Sequence, residues 1–147
     1  MKMKKLLLLL FSILFLWFSF AYNEVETQVL TITNIIREAW GLWTVVSSPL
    51  LYKIAKDQCI YMEKSWEYSH YRSDWTTPED RFNPIMRKYS KKTTRRWENL
   101  ARWYYAAVDV VVARWNSPTH KEVMMNPIYT KLWVYHKNWY TCEAWSN

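Results

Sequence analysis

Glycine is almost absent: Gly41 stands alone among 147 residues. Turns that need a left-handed backbone therefore fall to Asn, Asp, Ser and Pro. A phosphate-binding loop, in which several glycines let backbone amides close on an anion, is excluded. Cysteine is scarce too. Cys59 and Cys142 permit one disulfide at most, and neither lies in a redox motif or beside a nucleophile's partner. Cys59 falls in an expected helix and Cys142 near the C-terminus, so a bridge would close a long loop; two buried free thiols fit the sequence as well. No Ser-His-Asp set or Cys-His pair is present, and no repeat or interdomain linker is visible.

Aromatic residues take the opposite extreme, with eleven Trp and eleven Tyr. So many rings imply a core built from large amphipathic side chains, whose N–H and O–H groups need partners when buried. Residues 1–21 read as a secretory signal. Lys2, Lys4 and Lys5 precede the apolar run Leu6 to Phe18, and Ser19-Phe20-Ala21 offers a cleavage site after Ala21. The run is short for a membrane span, although an uncleaved anchor is the alternative. Residues 22–147 then form one domain, 147 − 21 = 126 residues, with a formal charge of 17 − 13 = +4. The one dense basic cluster, Arg87 to Arg96, reads as a solvated loop or as a contact for an anionic cell-envelope surface. An exported, mildly basic chain is expected to be monomeric and not to bind nucleic acid.

Helical periodicity runs from Val29 to Trp43, with Leu30, Ile32, Ile35, Ile36, Trp40 and Trp43 as its apolar stripe. Ser47-Ser48-Pro49 opens a second helix that continues to about Trp66, because proline is well suited to a first helical turn. A short helix over Glu79 to Tyr89 is expected to be kinked or cut by Pro84. Ala106 to Arg114 is an apolar helix ending near Trp115. Ser117-Pro118 breaks it, and Thr119 with Glu122 fits a capping box for one further short helix, closed by Asn126-Pro127. His120 then sits in the first turn after a sharp corner. Leu132 to Tyr135 and Trp139 to Trp145 read as strands joined by a polar turn, His136-Lys137-Asn138.

The stretch Trp115-Asn116-Ser117-Pro118-Thr119-His120 through Asn126-Pro127-Ile128-Tyr129-Thr130 resembles the signature of the CAP superfamily (cysteine-rich secretory proteins, antigen 5, pathogenesis-related proteins) in its bacterial, SCP-like form. Tyr68-Ser69-His70 is similar to the end of that family's second helix. Glu98-Asn99-Leu100-Ala101 is similar to its Gly-Glu-Asn-Ile/Leu-Ala motif, with Trp97 where the family has glycine. That departure puts a bulky residue at a position where φ > 0 is expected, with its ring beside Glu98. The hairpin glycines of the family are missing. The resemblance covers roughly residues 30 to 146 and implies an α+β fold, a three-layer αβα sandwich with a small antiparallel sheet flanked by helices.

The residues that carry chemistry are His70, Glu98 and His120, from three separate segments beside turns. Two imidazoles and a carboxylate suit Zn²⁺ or another divalent metal, and equally general acid–base work. No spacing ties them together, since 28 and 22 positions separate them. The resemblance does: it implies a central cleft of His70, Glu98 and His120 holding a metal, with Asn99 and Trp115 beside them. The expected function is a secreted, non-catalytic binding module whose ligand is a metal, a lipid or a glycan. The alternatives are a metal-assisted hydrolase of a cell-envelope polymer or peptide, and a basic, Trp-rich protein acting on membrane or wall. Trp97, Trp103, Trp115 and Trp133 read as core, and His136 as an exposed turn residue.

Overall fold

The computed structural model describes residues 24–88 and 95–147. The expected leader and the middle of the basic cluster lie outside the described residues. Helix α1 (Glu24–Ala39) ends in a tight turn at Gly41 (φ 72°), where Leu42 N–H donates to Arg37 C=O and Gly41 N–H to Glu38 C=O. This 6→1 and 5→2 pair is the helix stop that glycine favours, so the chain's one glycine stands where its lack of a Cβ counts. Strand β1 (Val46–Ser47) follows, then α2 (Pro49–Ser65), with Pro49 in its first turn. Helix α3 (Pro78–Lys88) runs through Pro84 without being cut. A reciprocal cap starts it: Thr77 N–H and Oγ1–H donate to Asp80 Oδ2, and Asp80 N–H donates to Thr77 Oγ1.

Strand β2 (Arg96–Arg102), helices α4 (Ala107–Asn116) and α5 (Pro118–Met125), and the hairpin β3 (Lys131–Lys137) and β4 (Tyr140–Ser146) complete the chain. The sheet order is β1-β3-β4-β2. β4 pairs antiparallel with both neighbours, and the two-residue β1 adds a short parallel pair to β3. Every residue of β4 is buried, because helices cover both faces. Alternate side chains serve two cores. Leu132, Val134 and Trp145 join Val29 of α1, Val110 and Val111 of α4 and Met124 of α5. Leu100, Tyr140, Cys142 and Ala144 join Leu51, Ile54 and Met62 of α2 and Phe82 of α3. The expected α+β three-layer sandwich is the fold. Cys59 and Cys142 are joined in a disulfide across 83 positions, tying α2 to β4.

Several expectations change. The fully buried residues of α1 are Val29, Thr33 and Arg37; Leu30, Ile32 and Ile36 of the expected stripe pack against the core, while Ile35, Trp40 and Trp43 are exposed. Arg37 can be buried because its guanidinium donates to four carbonyls, those of Trp43, Met124, Asn126 and Tyr129. The aromatic core is seen in part: Phe82, Tyr129, Tyr140 and Trp145 are buried and Trp115 and Trp133 pack against the two cores, but Trp40, Trp43, Trp66, Trp75, Trp97 and Trp103 are each at least half exposed. Left-handed turns fall on Trp66, Trp75 and Trp103 as well as Asn138. Trp97 is a strand residue outside that group, so no glycine conformation is needed there. Its ring points away from Glu98, as neighbouring strand residues must. His136 lies in β3 and is half-buried. Its N–H donates to Glu26 and its Nδ1 meets Thr141 Oγ1 at 2.9 Å.

Candidate functional site

β2 is an edge strand, with one layer of helices (α2, α3) on one face and α1, α4 and α5 on the other. Glu98 faces α3. The cap at Thr77 and Asp80 fixes the start of that helix, and Arg81 follows one position later, buried against the sheet. Its Nη2 donates to both Glu98 oxygens, at 2.8 and 2.9 Å, and with Nη1 it also holds the carbonyl of His70. His70 Nδ1 meets Glu98 Oε1 at 3.0 Å. Glu98 thus gives its carboxylate to a fixed guanidinium and to one imidazole, with its side chain 1% exposed and that of His70 39% exposed.

The loop that carries His70 is held from behind. Gln58, buried in α2, donates to Ser69 C=O and accepts from Arg72 Nε. Tyr68 O–H donates to Leu100 C=O. These bonds leave the imidazole little freedom of position.

His120 arrives from the other layer. The cap of α5 is Ser117, one residue before Pro118 at the first helical position, which replaces the Thr119 and Glu122 box expected from sequence; proline's fixed φ and missing N–H select that place. Ser117 Oγ is 2.9 Å from His120 Nδ1. Partial burial pushes the His120 pKa below the usual histidine value, and the charges of Arg114 and His70 push the same way. The structure thus joins His70 to Glu98, while His120 is held by Ser117 of its own corner.

Beneath them lies a pair that sequence reading missed. Arg114 Nη1 and Glu143 Oε1 are 2.5 Å apart and both side chains are buried. Burial lowers the Arg114 pKa and raises that of Glu143, each effect opposed by the partner's charge. Glu143 Oε2 also accepts from Asn99 Nδ2 and Trp145 Nε1. Asn99 is thus fully buried on the α4 side of β2 and apart from the His70–Glu98 pair. Trp115 packs beside Trp40, with Lys121 Nζ 3.6 Å from its ring centroid. A signal for Glu143 existed: it is the one charged residue of β4, and an acid inside a buried strand needs a buried cation. Among the described residues no three His, Cys, Asp or Glu side chains gather closely enough to share a metal ion.

The model of the CAP cysteine-rich secretory protein family matches residues 30–144. No curated protein matches the sequence. Solved structures share the fold. An extracellular protein containing an SCP domain from Bacillus anthracis superposes with TM-score 0.77 at 21% identity, over 86% of this chain and 41% of that one. A cysteine-rich secretory protein from Staphylococcus aureus gives 0.71 at 16% identity, over 85% of this chain and 38% of that one. An outer surface protein from Borrelia burgdorferi gives 0.76 at 23% identity, over 86% and 94%. The chain thus spans less than half the length of the first two proteins and nearly all of the third.

Proposed function

The chain belongs to the CAP family of cysteine-rich secretory proteins, and from that premise we propose that it is an extracellular binding module. Its cleft holds a divalent cation or a small polar ligand between His70 and His120 without turning it over. The observation that carries this reading is that both imidazoles are oriented through Nδ1, His70 by Glu98 and His120 by Ser117. Nε2 is then the nitrogen each ring offers to a ligand, the arrangement by which outer-shell groups aim metal-binding histidines. Two imidazoles fit Zn²⁺, which when bound would supply a Lewis-acidic centre completed by water.

Glu98 acts in this reading as the group that orients His70, not as a third ligand, because Arg81 and His70 already engage both its oxygens. The same commitment argues against the hydrolase alternative, since Glu98 is not free to take a proton from water. An extracellular location is supported by the disulfide, which suits an oxidising compartment, and by the extracellular and outer-surface descriptions of two structural neighbours.

Thermal unfolding with and without Zn²⁺, on wild type and on His70→Ala/His120→Ala, tests the proposal. The expected result is a zinc-dependent rise in midpoint that the double variant loses. No rise in wild type, with the double variant strongly destabilised, would make both histidines structural.

A further inference from the structure

At the end of the sheet where β2 finishes, indoles from three segments meet. Trp66 caps the C-terminus of α2, Trp103 follows β2, and Trp139 lies in the β3–β4 turn. Trp103 stacks on Trp139 with centroids 5.5 Å apart and planes 25° from parallel, and Trp66 leans on Trp139 at 6.0 Å. The backbones are pinned: Trp66 N–H donates to Met62 C=O, and Trp103 N–H to Trp139 C=O. Both Trp66 (φ 62°) and Trp103 (φ 71°) hold left-handed conformations, which disfavour any residue with a Cβ and suit glycine. Yet these rings are 66% and 57% exposed. Core packing therefore does not account for placing the bulkiest side chain at two strained positions. Strain of this kind concentrates where a surface has to be presented in one shape.

We propose that Trp66, Trp103 and Trp139 form a rigid platform on which a neutral glycan strand docks. A pyranose ring carries a flat face of C–H groups, and an indole face is electron-rich, so the two attract in face-on contact. Rings fixed before binding lose little freedom on binding. The rim selects the occupant. Arg102, its guanidinium 5.8 Å from the Trp103 ring and 4.6 Å from that of Tyr68, and Lys137 supply positive charge. Glu63 answers Lys137 at 2.7 Å and also accepts from Asn138 Nδ2 in the β3–β4 turn, so that pair of charges cancels. A rim whose one ion pair is neutralised suits hydroxyls. An anionic bilayer is drawn by a cluster of about four to eight basic residues, more than Arg102 and Lys64 supply beyond that pair. The platform and the histidine cleft are separate sites, so either reading stands without the other.

The test titrates the full chain with hexamers of β-1,4-linked glucose and of β-1,4-linked N-acetylglucosamine, read by tryptophan fluorescence. Trp66→Gly and Trp103→Gly are measured beside wild type. Glycine takes the left-handed backbone freely, so each variant is expected to keep or raise the thermal midpoint while binding about tenfold more weakly or worse. His70→Ala/His120→Ala should bind the sugar as wild type does, which separates this test from that of the cleft. The proposal is overturned if neither hexamer binds saturably. It is overturned equally if both glycine variants bind as wild type does, or if the platform takes phosphatidylglycerol vesicles and ignores the sugars. Glycine variants that lose midpoint, with no sugar bound by wild type, would make the stack a structural clasp.

Discussion

Glu98 stands between a fixed cation and a titratable ring, and its neighbours decide what it can do. Its buried carboxylate meets the Arg81 fork and His70 Nδ1 together. Replacing it by alanine strands a buried guanidinium, which costs about 3–5 kcal/mol. Glu98→Ala should lower the unfolding free energy by that amount and free the His70 ring, measurable by urea unfolding and by imidazole NMR. His120 gives a pH dependence with a definite sign. Burial, with the charges of Arg114 and His70, holds its folded pKa below the usual 6.5. The unfolded state then binds more protons, so stability is complete above that value and falls as pH drops through it toward the folded pKa. His136, also lowered by burial, acts in the same window, and Glu26 and Glu143, raised by burial, act in the opposite sense at lower pH. The His120 share is therefore a difference: between about pH 7 and about pH 5, His120→Gln should lose less midpoint than wild type.

Elements, not single residues, decided what could be read in advance. Ser48-Pro49 announces α2 because proline fits a first helical turn, and the helix runs Pro49–Ser65 as its spacing indicates. Leu30, Ile32 and Ile36 of the expected α1 stripe do pack against the core, but hydropathy gives no hint that Arg37 can be buried on four carbonyls contributed by residues from Trp43 to Tyr129. Left-handed Trp66, Trp75 and Trp103 were equally hidden, since Trp is no turn former and only the surrounding structure imposes those angles. The disulfide was left open between bridge and free thiols. It closes 83 positions, a loop for which the chain-entropy model gives about 4–5 kcal/mol. Reducing it, or Cys59→Ala/Cys142→Ala, should lower the midpoint by several degrees without changing the far-UV circular dichroism of the folded state.

At the scale of the molecule, the proposed cleft lies where two helical layers meet over one edge strand. His70 and Glu98 come from the α2–α3 side, while Ser117 and His120 come from the α4–α5 corner. No spacing in the sequence links 70, 98 and 120; motif order alone proposes them as a set, of which the structure joins His70 to Glu98, and it gives no sign of the Arg114–Glu143 pair. In the proposed cleft the two rings are held through Nδ1 and offer Nε2. Long-range ¹H–¹⁵N NMR of the histidine ring nitrogens, with Zn²⁺ titrated into the full chain, tests this arrangement most directly. Nε2 of His70 and of His120 should shift together on zinc addition, while each Nδ1 keeps its hydrogen-bonded position. Nε2 resonances that ignore zinc, or a zinc shift at Nδ1 instead, would contradict it.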